Sequence, residues 1–256
     1  MCTILLAWRC HTDAAIVLAA NRDELIARPS APPGPLSVDP FVAGGRDLVA
    51  GGTWLAVTAE GSVCAVTNRH LRTGQPQPPD PARSSRGGIP LGLLVDTAPE
   101  DVPARLAALG PGRYNAVNVL WVSPERALVA HVDDTGPVRV IDLAPGTHVL
   151  TTGDVDDRGR PKVAMLREGL DAALSQGGDV DVVTARLRAL LAGHDSPTGA
   201  PVDAACIHGD VYGTVSSSTV VTGATGVFFE HAPGRPCVTP FARVEMPSGP
   251  MPAGSP

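Results

Sequence analysis

The sequence predicts an α+β fold built on antiparallel sheets, and three observations predict it. Short apolar runs rich in Val, Ile, Leu and Ala recur in pairs joined by turn-like segments, which is hairpin spacing rather than the spacing of βαβ crossovers. Helical periodicity comes in two blocks, one over 89–109 and one over 161–193, so strands and helices alternate in groups. The chain has 256 residues, 43% hydrophobic and 18% charged, enough to bury a sizeable core.

The elements follow in order. "CTILLAW" and "AAIVLAAN" are apolar runs separated by the polar "RCHTD", and read as a hairpin. "RPSAPPGPLSVDP" is proline-rich and reads as an irregular surface loop. "GGTWLAVTAEGSVCAVTNRH" gives two strands joined at "AEG". A second irregular stretch, "GQPQPPDPARSSRGG", leads into helical segments near "IPLGLLVDT" and "PEDVPARLAAL"; the latter carries Glu100 and Asp101 in its first turn, where the helix dipole favours acids. Long proline-rich loops of this kind, at 28–45 and 73–88, are expected to roof a binding pocket.

Strand signals return in "AVNVLWV", "ALVAHV", "VRVIDL" and "THVLT". Two amphipathic helices come next, "PKVAMLREGLDAALSQ" with Pro161 placed to start it and "VDVVTARLRALLAG". "SSSTVVTG" and "GVFFEH" form a last hairpin. The expected organisation is one domain over 1–245 and a Pro/Gly-rich disordered tail over 246–256, with no internal repeat.

Charge and composition exclude several function classes. A net charge of −6 without charge blocks argues against a nucleic-acid or anionic-membrane surface. No apolar run approaches the roughly 20 residues of a spanning helix, and "TILLAW" is too short and lacks the basic lead of a signal peptide. A cytoplasmic protein acting on a small molecule is therefore expected. Lys162 is the sole lysine, which together with the abundant Ala, Gly and Pro reads as high-GC bacterial codon usage. Five cysteines without C-x-x-C spacing fit reduced thiols, so neither a disulfide framework nor a metal site is expected.

Few residues carry a chemical signature. Cys2 directly follows the initiator Met, and removal of Met1 would place a thiol and a free α-amine on one residue, a nucleophile with its own base. That amine has a pKa of about 7.7–8.0 and is substantially neutral in a cell. "NRDE", at 21–24, sets an amide and three charges at the end of an apolar strand. Alternation places Asn21 and Asp23 on one face, Arg22 and Glu24 on the other. Asp23 could hold the α-amine and Asn21 could donate to a substrate carbonyl. Asn68, Asn115 and Asn118 offer amides of the kind that stabilise oxyanions, and Thr219 in "YGTVSSSTVV" could orient a base. Zincin, α/β-hydrolase and P-loop motifs do not occur. "CIHGD" could offer Cys206 or His208 to a metal or to haem iron, although a lone loop His is ordinarily no ligand.

Taken together, "MCTI", "NRDE" at 21–24, "GGTWLAVTAEGSVCAVTN" at 51–68, "SRG" at 85–87, "YNAVNVL" at 114–120, "PKV" at 161–163 and "YGTVSSSTVV" at 212–221 resemble the NRDE family, also called the transport-and-Golgi-organisation family. The resemblance runs from residue 1 to about residue 230. That family is similar to the N-terminal nucleophile (Ntn) hydrolases of the cholylglycine hydrolase and penicillin V acylase type. The resemblance implies a four-layer αββα sandwich and attack by Cys2 on a linear amide.

It also implies site residues. Asn21 and Asp23 match an R-N-x-D segment in which Ala20 replaces the Arg, and Arg22 shares Ala20's strand face. Asn68 matches the oxyanion Asn. Thr151 and Thr152 stand where relatives carry Ser-Asn, and Val215 stands where they often carry Arg. The implied catalytic set is Cys2, Asp23, Asn68 and Arg22, with Asn21, Asn118 and Thr152 contacting substrate, no metal, and no cofactor unless haem is bound.

The expected activity is hydrolysis of a non-peptide C–N bond, or acyl transfer to an amine by the same chemistry. The alternative is a non-catalytic haem or lipid carrier on the same scaffold, with Cys2, His70, His131 or His208 as possible iron ligands.

Overall fold

Both faces of the first apolar run are buried. Ile4, Leu6 and Trp8 point to one side of the strand and Leu5 and Ala7 to the other, none more than 4% exposed. A strand with two apolar faces needs cover on both, and that requirement sets the layering. The computed structural model, which describes residues 2–70 and 79–247, meets it with two stacked antiparallel sheets between two helical layers.

One sheet has six strands. Its order is β10 (Gly146–Leu150), β1 (Thr3–Trp8), β2 (Ala14–Leu25), β11 (Tyr212–Gly223), β12 (Gly226–Ala232) and β13 (Ala242–Arg243). The other has seven: β3 (Ser30–Val38), β4 (Phe41–Asp47), β5 (Leu55–Thr58), β6 (Val63–Asn68), β7 (Val117–Val122), β8 (Ala127–Val132) and β9 (Arg139–Asp142). All neighbouring strands run antiparallel. Helices α1 (Ile89–Leu94) and α2 (Val102–Ala107) cover the seven-stranded sheet; α3 (Pro161–Ser175) and α4 (Val180–Leu191) cover the six-stranded one.

Ile4, Leu6, Leu18 and Phe229 meet Leu55, Val63 and Leu120 between the sheets. Leu5, Val17 and Val149 face Leu166, Leu170 and Leu187 of α3 and α4. This is the αββα sandwich, and the fold class expected from the sequence holds. Among the described residues no helix is long and apolar enough to cross a membrane.

One expectation is revised. The proline-rich 28–40 segment is not an irregular loop: Ser30–Val38 is a strand at the rim of the seven-stranded sheet, with register shifts after Ala31 and after Pro35. Proline is tolerated there because an edge strand has one side with no ladder to serve. "NRDE" lies at the end of β2, as expected, with all four residues in the ladder and only Leu25 beyond them. Met246 packs on the inter-sheet core; residues 248–256 of the expected tail lie outside the described residues, as does the 71–78 part of the second proline-rich stretch.

A buried polar clasp joins the sheets at the end that carries the site. Asn118 on β7 donates to the carbonyls of Thr151 and Gly153, which follow β10, and to the Thr67 hydroxyl. Its oxygen lies 3.1 Å from an Arg69 guanidinium nitrogen and 2.7 Å from His131 Nδ1. Arg69 in turn binds Asp133 and Asp154, and Thr67 donates to the Thr151 carbonyl. Asn118→Ala strands these partners in a dry site, and a loss of about 3 kcal/mol of unfolding free energy is expected. Asn115→Ala, at a partly exposed bend where the amide binds, among the described residues, the main chain of Asp80, is expected to cost less than about 1 kcal/mol. Urea denaturation of the two variants checks the contrast.

Candidate functional site

The last paired residues of β1 fix where Cys2 lies. Thr3 pairs with Asn21 on β2 and Ile4 with Leu150 on β10. Continuing both registers sets Cys2 between Arg22 and Thr152. Pleat parity turns Cys2, like Ile4 and Leu6, toward the space between the sheets. The residue is partly exposed, and burial of its sulfur pushes the thiol up from its ordinary value. The charge of Asp23 adds to that rise, while the Asp23 main-chain N–H and the Arg22 guanidinium oppose it.

Asp23 points to the other face of β2, under the helices, and is 3% exposed. The Thr214 hydroxyl donates to its carboxylate at 2.6 Å and the Tyr212 hydroxyl to its carbonyl at 2.9 Å. Burial raises the Asp23 pKa to about 6, moderated by the charge of Lys162 and the bond from Thr214. Lys162 is itself 7% exposed in the first turn of α3, where the helix dipole disfavours a cation. Burial pulls its pKa down, and the charges of Asp23, Asp203 and Cys2 hold it up.

Arg22 occupies the inter-sheet face. Its side chain is 6% exposed, with one nitrogen 3.9 Å from Glu24 and Nη1 without a hydrogen-bond partner among the described residues. A small cavity of about 100 Å³ opens beside it, walled by Trp54, Arg46, Ser216 and His231. A β-bulge at Val215 shifts the register of β11 between Thr214, opposite Asp23, and Ser216, opposite Arg22. The bulge lets neighbouring residues of one strand serve both faces of the site.

The structure therefore brings together Cys2, Arg22, Asp23 and Thr152, and does not use the asparagines as the sequence suggests. Asn21 is fully buried and gives both amide hydrogens to the carbonyls of Leu191 and Ala205, tying β2 to the end of α4, so it has no donor left for a substrate. Asn118 is committed to the clasp in the same way. Asn68 is partly exposed at the end of β6 and hydrogen-bonds to no described residue through its side chain, but parity turns Thr67, not Asn68, toward the gap between the sheets. Thr219 accepts from Arg188 on the helical side rather than orienting a base.

Of the histidines considered as iron ligands, His131 is spent on the clasp, with Nδ1 at Asn118 and Nε2 at the Val155 N–H; burial and Arg69 bring its pKa down to about 4. His70 is half-buried near Arg160 and Arg86, which together with burial lower its pKa.

Sequence reasoning missed Lys162, Thr214, Tyr212 and Arg86. Lys162 carried a signal, since one lysine in the whole chain opens a helix inside a recognised motif. Arg86, whose charge acts on Cys2 and Glu24, carried none beyond "SRG".

Among solved structures, a Caenorhabditis elegans N-acylethanolamine-hydrolyzing acid amidase ortholog superposes with a TM-score of 0.55 at 12% identity, covering 86% of this chain and 92% of that one. A mutant conjugated bile acid hydrolase from Clostridium perfringens superposes with a TM-score of 0.52 at 12% identity, covering 96% and 97%. These likenesses establish an Ntn-hydrolase-like fold. A Transport and Golgi organization protein 2 homolog from Bos taurus is 26% identical over 237 residues, covering 82% of this chain and 83% of its own. The profile of the family described as Transport and Golgi organisation 2 matches residues 1–231, and the chain belongs to that family.

Proposed function

We propose that this chain is an N-terminal cysteine amidohydrolase or acyltransferase acting on a linear, non-peptide amide of a small molecule. The observation that carries the reading is the grouping around Cys2: a thiol in the gap between two sheets, an Asp23 main-chain N–H at its sulfur, Arg22 beside it, and a buried carboxylate one strand face away. The fold neighbours include an N-acylethanolamine-hydrolyzing acid amidase ortholog and a conjugated bile acid hydrolase, which supports a hydrolase reading.

In this reading, cleavage of Met1 frees the α-amine of Cys2. Ionised Asp23 orients that amine, which takes the thiol proton. The sulfur attacks the substrate carbonyl carbon and the oxygen becomes an oxyanion. Arg22 Nη1 offers a donor there that no described residue occupies. Collapse of the tetrahedral species expels the amine with the proton carried by the α-amine, leaving a thioester. Water or a second amine then resolves it.

One observation favours a second reading, carriage of an apolar ligand. A trench of about 660 Å³ walled by Pro33, Pro35, Phe41, Val244 and Met246 shares Pro32, His231 and Pro233 with the cavity at Arg22. On the first reading this trench holds the acyl chain; on the second it holds the whole ligand.

Hydrolysis of a fatty-acyl nitroanilide separates the two. Cys2→Ala is expected to lower kcat/KM by at least about 10³ while leaving binding of a fluorescent fatty acid unchanged. Equal turnover by the variant and the parent overturns the catalytic reading. Arg22→Leu is expected to lower kcat by about 10²–10³, the scale of losing an oxyanion donor, and an unchanged kcat removes Arg22 from that role.

The pH dependence has a definite sign. Burial holds the Asp23 pKa at about 6, above the ordinary carboxylate value, and only the ionised form can hold an ammonium. The acylation rate is expected to rise with pH through about 6, and Asp23→Asn is expected to lose most of the rate together with that limb. A parent profile flat between pH 5 and pH 7 contradicts this role.

A further inference from the structure

We infer that His194, Cys206, His208 and Cys237 form a tetrahedral zinc site, separate from Cys2, that fastens the segment after β12 to the loop before β11. One ligand atom from each of the four residues can be chosen so that all lie within 4.8 Å of one another. The two sulfurs are 3.7 Å apart, His208 Nε2 is 3.2 Å from Cys237 Sγ, and the two imidazole rings meet edge to face with centroids 4.6 Å apart.

These separations are those of a coordination tetrahedron. With Zn–S of about 2.3 Å and Zn–N of about 2.0–2.1 Å, its S···S edge is about 3.8 Å and its S···N edge about 3.5 Å. Two thiolates and two neutral imidazoles neutralise a divalent ion. No carboxylate completes the group among the described residues, which disfavours the hard cations that need oxygen ligands.

Main-chain hydrogen bonds hold Cys206 and the turn that carries Cys237 in position independently of a metal. Cys206 N–H donates to the carbonyl of Gly193, next to His194, at 2.9 Å. Val238 and Thr239 both donate to the Arg235 carbonyl, forming the turn that presents Cys237, and Arg235 reaches back to the Gly209 carbonyl. Cys206 is 1% exposed and the two histidines are exposed, an arrangement with an entry path from one side. The spacing H-x₁₁-C-x-H-x₂₈-C matches no local zinc motif. That is why the sequence leads to an expectation of no metal, which this inference replaces.

The site bears on the acylation chemistry through one residue. Ile207, adjacent to Cys206, exchanges main-chain and side-chain hydrogen bonds with Thr214, whose hydroxyl holds Asp23. Zinc is therefore a positioning element for Asp23 if the proposed function holds, but metal binding itself does not rest on that function.

The test reads metal directly. Full-length protein purified with reductant and without chelator is analysed for metal content, then stripped and titrated with cobalt(II). The expected results are one zinc per chain and a cobalt spectrum with tetrahedral d–d and thiolate charge-transfer bands. His208→Ala, at an exposed ligand, and Cys237→Ser are expected to abolish both, and Cys10→Ser to leave both intact. Protein with its thiols reduced that takes up no zinc and gives no such cobalt bands overturns the inference. A spectrum unchanged in both ligand variants overturns it as well, and so does a Cys206–Cys237 disulfide that leaves no metal uptake after reduction.

Discussion

The site depends on a carboxylate held where a carboxylate is expensive to hold. Asp23 lies under the helical layer at 3% exposure, and an isolated charge there costs several kcal/mol unless other groups compensate. Thr214 and Lys162 are those groups, and each constrains the fold around it. Thr214 must face Asp23 across the β2–β11 ladder, so the register of those two long strands is fixed. Lys162 must sit buried in the first turn of α3, against the helix dipole, so α3 must begin over the end of β2. Burial outweighs these groups, and the Asp23 pKa is raised to about 6.

Alternation along β2 then divides labour between the two faces of one strand. Ala20 and Arg22 look into the gap between the sheets, where Cys2 and the cavity are; Asn21 and Asp23 look toward the helices. The small Ala20 leaves the gap to its neighbour Arg22. The bulge at Val215 repeats the division on the adjoining strand, placing Thr214 with Asp23 and Ser216 with Arg22. Cys2 and Asp23 thus lie near each other while facing opposite sides of one sheet, the division the proposed mechanism uses.

Much of this is legible in the sequence, and the limits have physical causes. Apolar runs that bury both faces, such as Thr3–Trp8, declare themselves as core strands, and the paired helical blocks give the two outer layers. Asp23 is suggested as a partner of Cys2 by the strand-end position of "NRDE", whereas Arg22 enters the group only through the family resemblance. The strand at Ser30–Val38 is hidden because proline signals a broken ladder, and the sequence does not reveal which side of an edge strand is free. Asn21 and Asn118 read as substrate donors because an amide's partners are set by whichever main chain approaches from elsewhere, here Leu191, Ala205, Thr151 and Gly153. The four metal-ligating side chains come from segments on either side of a long hairpin, so no spacing rule gathers them.

The central claim is that the amino-terminal residue of the working protein is Cys2 and that its sulfur carries the acyl group. Mass spectrometry of the intact protein and of its N-terminal peptide, before and after brief exposure to a fatty-acyl thioester and acid quench, addresses both halves at once. The account predicts a chain lacking Met1 and a single acyl group that maps to Cys2. A chain that retains Met1, or an acyl group found only on another residue, contradicts it.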